Sequence, residues 1–309
     1  MTDAADPDLP RGIALAWGVA ANPQRGPKRE MSVERIVEAA VEIADAEGLG
    51  AVSMAAVAAR LGFTPMSLYR YVTAKDDLVL LMQEEATGLP SEDATSAGGW
   101  REQLTALYGE QVQMYLHHPW VLDIPISGSP VTPNSAAWMD AGLRALSETP
   151  LTHGERLAVV LMVTGTSRWT GTVLAGYART ERERGLRGHD ITLQEDALYR
   201  ALISAEAYPE LREAIDAGVF LEETDPFLFN LERSLDGVAA YMDRVRAEGR
   251  APRTPWVQLH DAEILDDKKY REAQKAVRTA EKALRDARKI ERQAARDAHE
   301  RRARHRGDA

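Results

Sequence analysis

Apolar residues recur three and four apart along most of the chain, and no run alternates strictly enough to mark a strand, so the pattern predicts an all-α protein. Behind Ser32, a good N-cap, Val33, Ile36, Val37, Ala40, Val41 and Ala44 form the first apolar stripe, which Gly48 closes. Behind Ser53, Met54, Val57, Ala58 and Leu61 form a second, closed by Gly62. Thr64 and Pro65 open a third segment, in which Leu68 and Val72 share a face. Thr73 and Asp76 have the form of a capping signature for a fourth helix, running to about Ala86.

The stretch "GLPSEDATSAGG", Gly88 to Gly99, breaks this periodicity and marks a junction. Beyond it the pattern predicts helices over 100–118 and 135–147, a long one from Thr152, boxed by Glu155, to about Arg184, and another from Thr192, boxed by Glu195. A short helix over 209–217 follows, and a last one behind Asp225-Pro226 ends near Gly249. In that last helix Leu228, Leu231, Leu235, Val238, Met242 and Val245 make a continuous seam. The long helix is apolar nearly all round over 157–163, and its Gly165, Gly171 and Gly176 allow close approach by another helix. Two such helices from each of two subunits would form a four-helix dimer interface. The predicted organisation is a loosely ordered arm over 1–31, a helix-turn-helix domain over 32–88, a larger ligand-binding and dimerisation domain over 100–250, and a helical tail over 260–306.

Charge changes the picture more than composition does. Over 309 residues there are 38 basic and 48 acidic side chains; 15 basic and 7 acidic ones fall within 268–309, which leaves 23 against 41 before it. Two regions of opposite sign stand behind the net charge of -10. Cysteine is absent, which excludes disulfides, thiol catalysis and cysteine-based zinc sites. The first apolar stretch follows a start without positive charge, unlike a secretory signal, and no apolar run approaches the roughly 20 residues of a membrane span, so a soluble, cytoplasmic protein with no membrane partner is expected.

Within the acidic part, "LGFTPMSLYRYVTAKDDL" stands out, because from Arg60 to Lys75 there are three basic residues and no acid. Two short helices joined at Gly62 have the sequence form of a helix-turn-helix. If Leu68 and Val72 point inward, Pro65, Met66, Tyr69 and Arg70 face away. Arginine can reach guanine edges or phosphates, Pro65 and Met66 offer apolar contact to a thymine methyl, a tyrosine hydroxyl can bond a phosphate, and Ser67 is small enough for close approach. Lys75 in the first turn of a helix, and Ser53 at the head of another, add phosphate anchors. The acids Glu34, Glu38, Glu42 and Asp45 lie on the first helix, whose polar side can face away from a duplex.

The pattern "RIVEAAVEIADAEGLGAVSMAAVAARLGFTPMSLYRYVTAKDDLV", with "SLYRYV" followed by "KDDL", resembles the DNA-binding domain of the TetR family of bacterial transcriptional repressors over residues 32–82. The resemblance implies a homodimer whose paired third helices enter successive major grooves of a palindromic double-stranded DNA operator. It places Thr64, Pro65, Met66, Ser67, Tyr69, Arg70 and Tyr71 on the recognition helix and Lys75 at a phosphate-binding position, and it likens Lys28 and Arg29 to a basic arm entering the minor groove. Ala55 and Ala56 stand where some members carry a base-reading arginine, so readout rests on fewer side chains. "DPFLFNLERSLDGVAAYM" is similar to the last helix of tetracycline-repressor-type regulatory domains, which hold a small effector; the implied function is a ligand-responsive repressor. The alternative is a constitutive DNA-organising protein whose second domain serves only assembly.

An apolar effector pocket with a few polar fixtures would draw on Tyr108, Met114, His117, His118 and Trp120, and on Trp138, Met139, Met162, Trp169 and Tyr177. For each of these, plain core is the competing reading. Adjacent His117 and His118 point about 100° apart on a helix and no i, i+4 ligand joins them, so no metal and no cofactor are expected. No nucleophile elbow, P-loop, dinucleotide fingerprint or zinc-protease motif is present, which argues against an enzyme. The tail reads as a solvated helix, a weak helical partner or a basic arm touching DNA; its heptad-like positions, Tyr270, Val277 and Leu284, alternate with alanine and meet Glu291. Trp17 reads as an anchor that packs the arm on the core.

Overall fold

Local hydrogen bonding sets most helix starts. In the computed structural model, described for residues 9–19, 31–96, 98–126, 128, 131–222, 224–250 and 267–307, every regular element among those residues is helical. Arg11–Ala16 (α1) precedes Val33–Glu47 (α2), Met54–Leu61 (α3), Pro65–Leu68 (α4) and Lys75–Thr87 (α5). The Ser32 hydroxyl accepts from the Arg35 amide and the Ser53 hydroxyl from the Ala56 amide, so α2 and α3 begin where their caps predict. Gly62, at φ 76°, adopts the left-handed conformation that closes α3, and the Phe63 amide bonds back to the Ala58 carbonyl.

Glu92–Ser96 (α6), Trp100–His117 (α7), Pro133–Ala145 (α8) and His153–Arg184 (α9) follow. Gly188–Leu202 (α10), Pro209–Asp216 (α11) and Pro226–Glu248 (α12) complete the first compact unit, 1–249; Lys268–Gly307 (α13) belongs to a second, 250–309. Thr152 and Glu155 bond each other's backbone amides at the head of α9, and Asp225 accepts from the Phe227 and Leu228 amides at the head of α12.

Four expectations need correcting. The segment 1–31 is not loosely ordered throughout: α1 packs on α5, its Gly12 amide bonding Asp77 Oδ1 at 2.9 Å, and the Trp17 indole donates to the Val131 carbonyl. Trp17 anchors by its N–H while its ring stays 46% exposed. Thr73 does not cap α5, because its hydroxyl turns to Asp77 Oδ2; Ala74 occupies the cap. α10 starts at Gly188, not Thr192: Asp190 accepts from the Arg187 amide, and the Thr192 hydroxyl bonds the Gly188 carbonyl within the helix. Finally, α9 is by length and composition apolar enough to cross a membrane; its apolar residues divide between a buried face with Val159, Val160 and Val163 and an exposed one with Leu161 and Trp169.

Two apolar cores result. One gathers α2, α3, α4 and α5 around Ile36, Val57, Leu68 and Leu78, and it extends past the composition break to take in Tyr115, Trp120 and Val121. The other joins α7, α8, α9 and α12 around Leu104, Trp138, Val160, Leu231 and Leu235. Of the seam predicted for α12, Leu231, Leu235, Met242 and Val245 are buried, whereas Leu228 is exposed. Gly171 on α9 is where α7 crosses most closely, since a Cβ there would lie 2.7 Å from Tyr115 Cβ; Gly165 and Gly176 look onto open space.

Candidate nucleic-acid interface

α4 is one turn long because the Tyr69 amide closes on the Pro65 carbonyl and the chain then bends, the Tyr71 amide bonding the Leu68 carbonyl. Leu68 and Val72 are fully buried and lock this turn against the first core. Their burial forces the intervening residues outward: Thr64, Pro65, Met66, Tyr69 and Arg70 are exposed, Met66 by 74% and Tyr69 by 42%. Ser67 and Tyr71 are half-buried; the Ser67 hydroxyl bonds the Thr64 carbonyl, and Tyr71 packs partly against the core.

Lys75 is exposed in the first turn of α5, where unsatisfied backbone N–H groups favour an anion. Ser53 is exposed at the head of α3. Arg60 is committed elsewhere, to Glu42 on α2 at 2.7 Å. Among the described residues, Arg70 and Lys75 are therefore the cations on this face. Lys28 and Arg29 lie outside the described residues.

Behind the face, α2 is fastened to the segment that follows α7. Asp45 Oδ1, near the end of α2, accepts the Trp120 indole N–H at 2.7 Å and lies 2.8 Å from His118 Nδ1. Asp45 is exposed, yet one of its oxygens is engaged with the segment that follows α7. The signal that could have found it is Trp120 itself, since a buried indole N–H requires an acceptor. From α9, Arg168 donates to the Leu122 and Ile124 carbonyls at the end of the Pro119–Asp123 turn and lies over the Tyr115 ring. A second tie joins α5 to α8: the Asn134 amide bonds Glu84 Oε1, and the Trp138 indole donates to the Gly88 carbonyl.

Asp45→Ala is expected to lower stability by about 1–3 kcal/mol, because the buried Trp120 N–H loses its acceptor. Asp45→Asn, which keeps one, should recover most of it. Urea midpoints check both, and an unchanged midpoint for the alanine variant would mean that the clasp contributes nothing to stability.

The residues predicted to line a pocket do not converge. Tyr108 and Trp138 are buried in the second core, with Met139 and Met162 packed partly against it. The Tyr108 hydroxyl lies 3.0 Å from Thr170 Oγ1, and burial pushes its pKa up. Burial also raises the Tyr115 phenol, against the opposing pull of the Arg168 charge. Met114 packs partly against the first core, His118 belongs to the Asp45 clasp, and His117 bonds the Gln113 carbonyl on its own helix. Trp169 is 62% exposed on α9, and Tyr177 is exposed there too, its hydroxyl donating to Glu195. An open groove of about 550 Å³ between α7 and α12, with Arg101, Thr105 and Arg233 in its walls, contains none of the predicted residues.

Residues 36–82 match the family model for bacterial regulatory proteins of the tetR family, and residues 90–242 match the tetracyclin repressor-like C-terminal domain. The chain is 33% identical over 243 residues to the HTH-type transcriptional repressor DrrR1 of Streptomyces coeruleorubidus, spanning 78% of this chain and 89% of that protein. Its fold is similar to that of the TetR family protein ActR of Streptomyces coelicolor in complex with (S)-DNPA, with a TM-score of 0.56 and 23% identity over 69% of this chain and all of that one. A possible TetR family regulator from Streptomyces coelicolor A3(2) is similar at a TM-score of 0.55 and 24% identity, over 68% of this chain and all of the other.

Proposed function

Since this chain belongs to the tetR family of bacterial regulatory proteins, we propose that it is a homodimeric transcriptional repressor that grips a two-fold symmetric operator and lets go when a small, largely apolar molecule binds its second domain. The observation that carries the reading is the exposed stripe Thr64, Pro65, Met66, Tyr69 and Arg70, held outward by fully buried Leu68 and Val72 and flanked by Lys75. Pro65 and Met66 meet thymine methyls, Arg70 reads a base edge or phosphate, and Tyr69, Lys75 and Ser53 hold phosphates. Tyr71, half-buried, orients the turn. Lys28 and Arg29 belong to this reading as a minor-groove arm. Its domains are those read from the pattern, 32–88 for DNA and 100–250 for ligand and dimer, and it implies a cytoplasmic protein that catalyses no reaction.

Leu161 and Trp169 are exposed two turns apart on α9, with Gly165 between them facing open space, and Phe229 is 61% exposed on α12. This supports a dimer built from α9 and α12. Trp169→Glu is expected to give a monomer by sedimentation and to weaken operator binding by about 10²-fold or more as the second half-site is lost. A variant that remains dimeric would move the interface elsewhere.

For the effector, buried Tyr108 and Trp138, with Met139 and Met162 packed partly against the same core, are the pocket lining we retain from the longer set. The ActR complex with (S)-DNPA supports a small-molecule ligand. Ligand binding has to favour a DNA-incompetent arrangement, by a coupling of about 1–3 kcal/mol. Its route to α4 runs from α9 through Arg168 to the Pro119–Asp123 turn and the Asp45 clasp, and from α8 through Glu84 along α5. Purified protein incubated with sheared genomic DNA should enrich fragments that share one two-fold symmetric sequence, and a cognate small molecule should release them. Retention of fragments with no common symmetric sequence would instead favour a DNA-organising protein.

A further inference from the structure

The charge of α13 is not scattered. On a helix with 3.6 residues per turn, Arg271, Lys275, Arg278 and Lys282 follow at steps of four, three and four, so they share one narrow sector, and all four are exposed. The sequence keeps the same step at Arg285, Lys289, Arg292 and Arg296. These eight positions trace one line from Arg271 to Arg296, about 38 Å at roughly 1.5 Å per residue. The acids Glu272, Glu281, Asp286 and Glu291 all fall outside that line, while Ala273, Ala276, Ala280, Ala283 and Ala287 occupy the far side.

A solvated helix gains from opposite charges three and four apart, and like charges at those spacings cost roughly 0.2–0.5 kcal/mol per pair. Glu272, Glu281, Asp286 and Glu300 stand three or four residues from members of the line and supply part of that gain, but 15 cations face only 7 acids over 268–309, an excess that suits a polyanion able to neutralise it. The length of the line is close to one turn of B-DNA, roughly 34–36 Å. An anionic membrane is the competing surface. It requires a bulky apolar face to bury, and here that face is mostly alanine, with Val277 and Leu284 as its large members.

We propose that this line is a second DNA-contacting surface, which binds duplex phosphates without regard to sequence. The proposal rests on the operator-binding reading only in that paired reading heads bring two tails to one duplex. Its function is to hold the protein on DNA near its site and to raise the rate at which the operator is found.

The test uses the full chain and the variant carrying Arg271→Gln, Lys275→Gln, Arg278→Gln and Lys282→Gln. Glutamine keeps helix propensity, and circular dichroism verifies helix content. Binding to an operator-free duplex of scrambled sequence is followed by fluorescence anisotropy between about 50 and 200 mM salt. The slope of log K against log salt should fall by about 0.9 for each phosphate that the variant no longer neutralises, up to about 7 for eight cations in a dimer, with affinity at low salt down at least about tenfold. The charge-preserving pair Arg271→Lys and Arg278→Lys should keep the parental slope. An unchanged slope in the glutamine variant overturns the proposal. So does tighter binding, which would mean that the line is engaged by the acidic remainder of the chain. Line-dependent binding to phosphatidylserine vesicles with an unchanged DNA slope would assign it to a membrane instead. Because the duplex carries no operator, these outcomes do not depend on whether α4 reads one; Lys75→Ala tests that separately on the enriched fragments.

Discussion

Tyr69→Ala and Lys75→Ala, made separately, are each expected to weaken operator binding by about 10²-fold or more while leaving helix content and dimerisation unchanged. A hydrogen bond to a charged group contributes about 1.5–3 kcal/mol, and a symmetric dimer loses it twice, which gives about 3–6 kcal/mol. Neither side chain supports the fold: Tyr69 is 42% exposed just after the one-turn α4, and Lys75 is exposed at the start of α5. Leu68→Ala makes the useful contrast. It is fully buried one residue before Tyr69, and its truncation should cost about 2–5 kcal/mol of stability, so its effect on DNA would follow from unfolding. Anisotropy with an operator duplex, read beside circular dichroism and sedimentation, separates the two cases. Parental affinity in both exposed-residue variants would remove α4 and α5 from the interface.

Gly171→Ala is expected to lower stability by about 1–3 kcal/mol, against the usual gain when alanine replaces a helical glycine. The reason is the crossing of α7 and α9, where a Cβ at 171 would stand 2.7 Å from Tyr115 Cβ and 2.8 Å from Cδ2. Tyr115 cannot swing clear: it is 6% exposed, and Arg168, which lies over its ring, is fixed to the Leu122 and Ile124 carbonyls. The helices must separate, and the turn that carries Trp120 moves with them. Gly109→Ala is the control, since its Cβ would meet nothing within 4 Å on α7, and it should stabilise by up to about 1 kcal/mol. Thermal or urea midpoints shifting in the same direction for both variants would show that the crossing is looser than these distances require.

The outward stripe of α4 was legible early because its signals are local. Leu68 and Val72 are four residues apart, so their shared burial decides at once which residues of α4 face outward. Gly62, Ser32, Ser53, the Thr152 and Glu155 pair and Asp225 bond within a few residues of themselves, and each sits at the helix end its type suggests. Local signals also misled where a hydroxyl had two partners within reach. Thr73 found Asp77 instead of a backbone amide, and Thr192 bonded a carbonyl inside a helix that had already begun.

The pocket residues were the least legible. Their chemistry was right for a ligand, but aromatic and methionine side chains serve a core, a clasp or a subunit contact equally well. Trp120 and His118 went to Asp45, Trp169 to the outer side of α9, and Tyr108 to Thr170. The helix α1 was hidden for a related reason, since its contact with Asp77 spans 65 residues.

By itself, then, the order of residues determined the helical class, most of the helix starts and the outward stripe of α4, because hydrogen bonds and side-chain periodicity within one or two turns leave few alternatives. The crossing at Gly171, the clasp on Asp45, the scattering of the aromatic side chains and the exposed stripe of α9 were decided only in three dimensions. Each depends on which faces of distant helices meet, and the free energy of that choice comes from close packing summed over the whole molecule rather than from any short stretch of it.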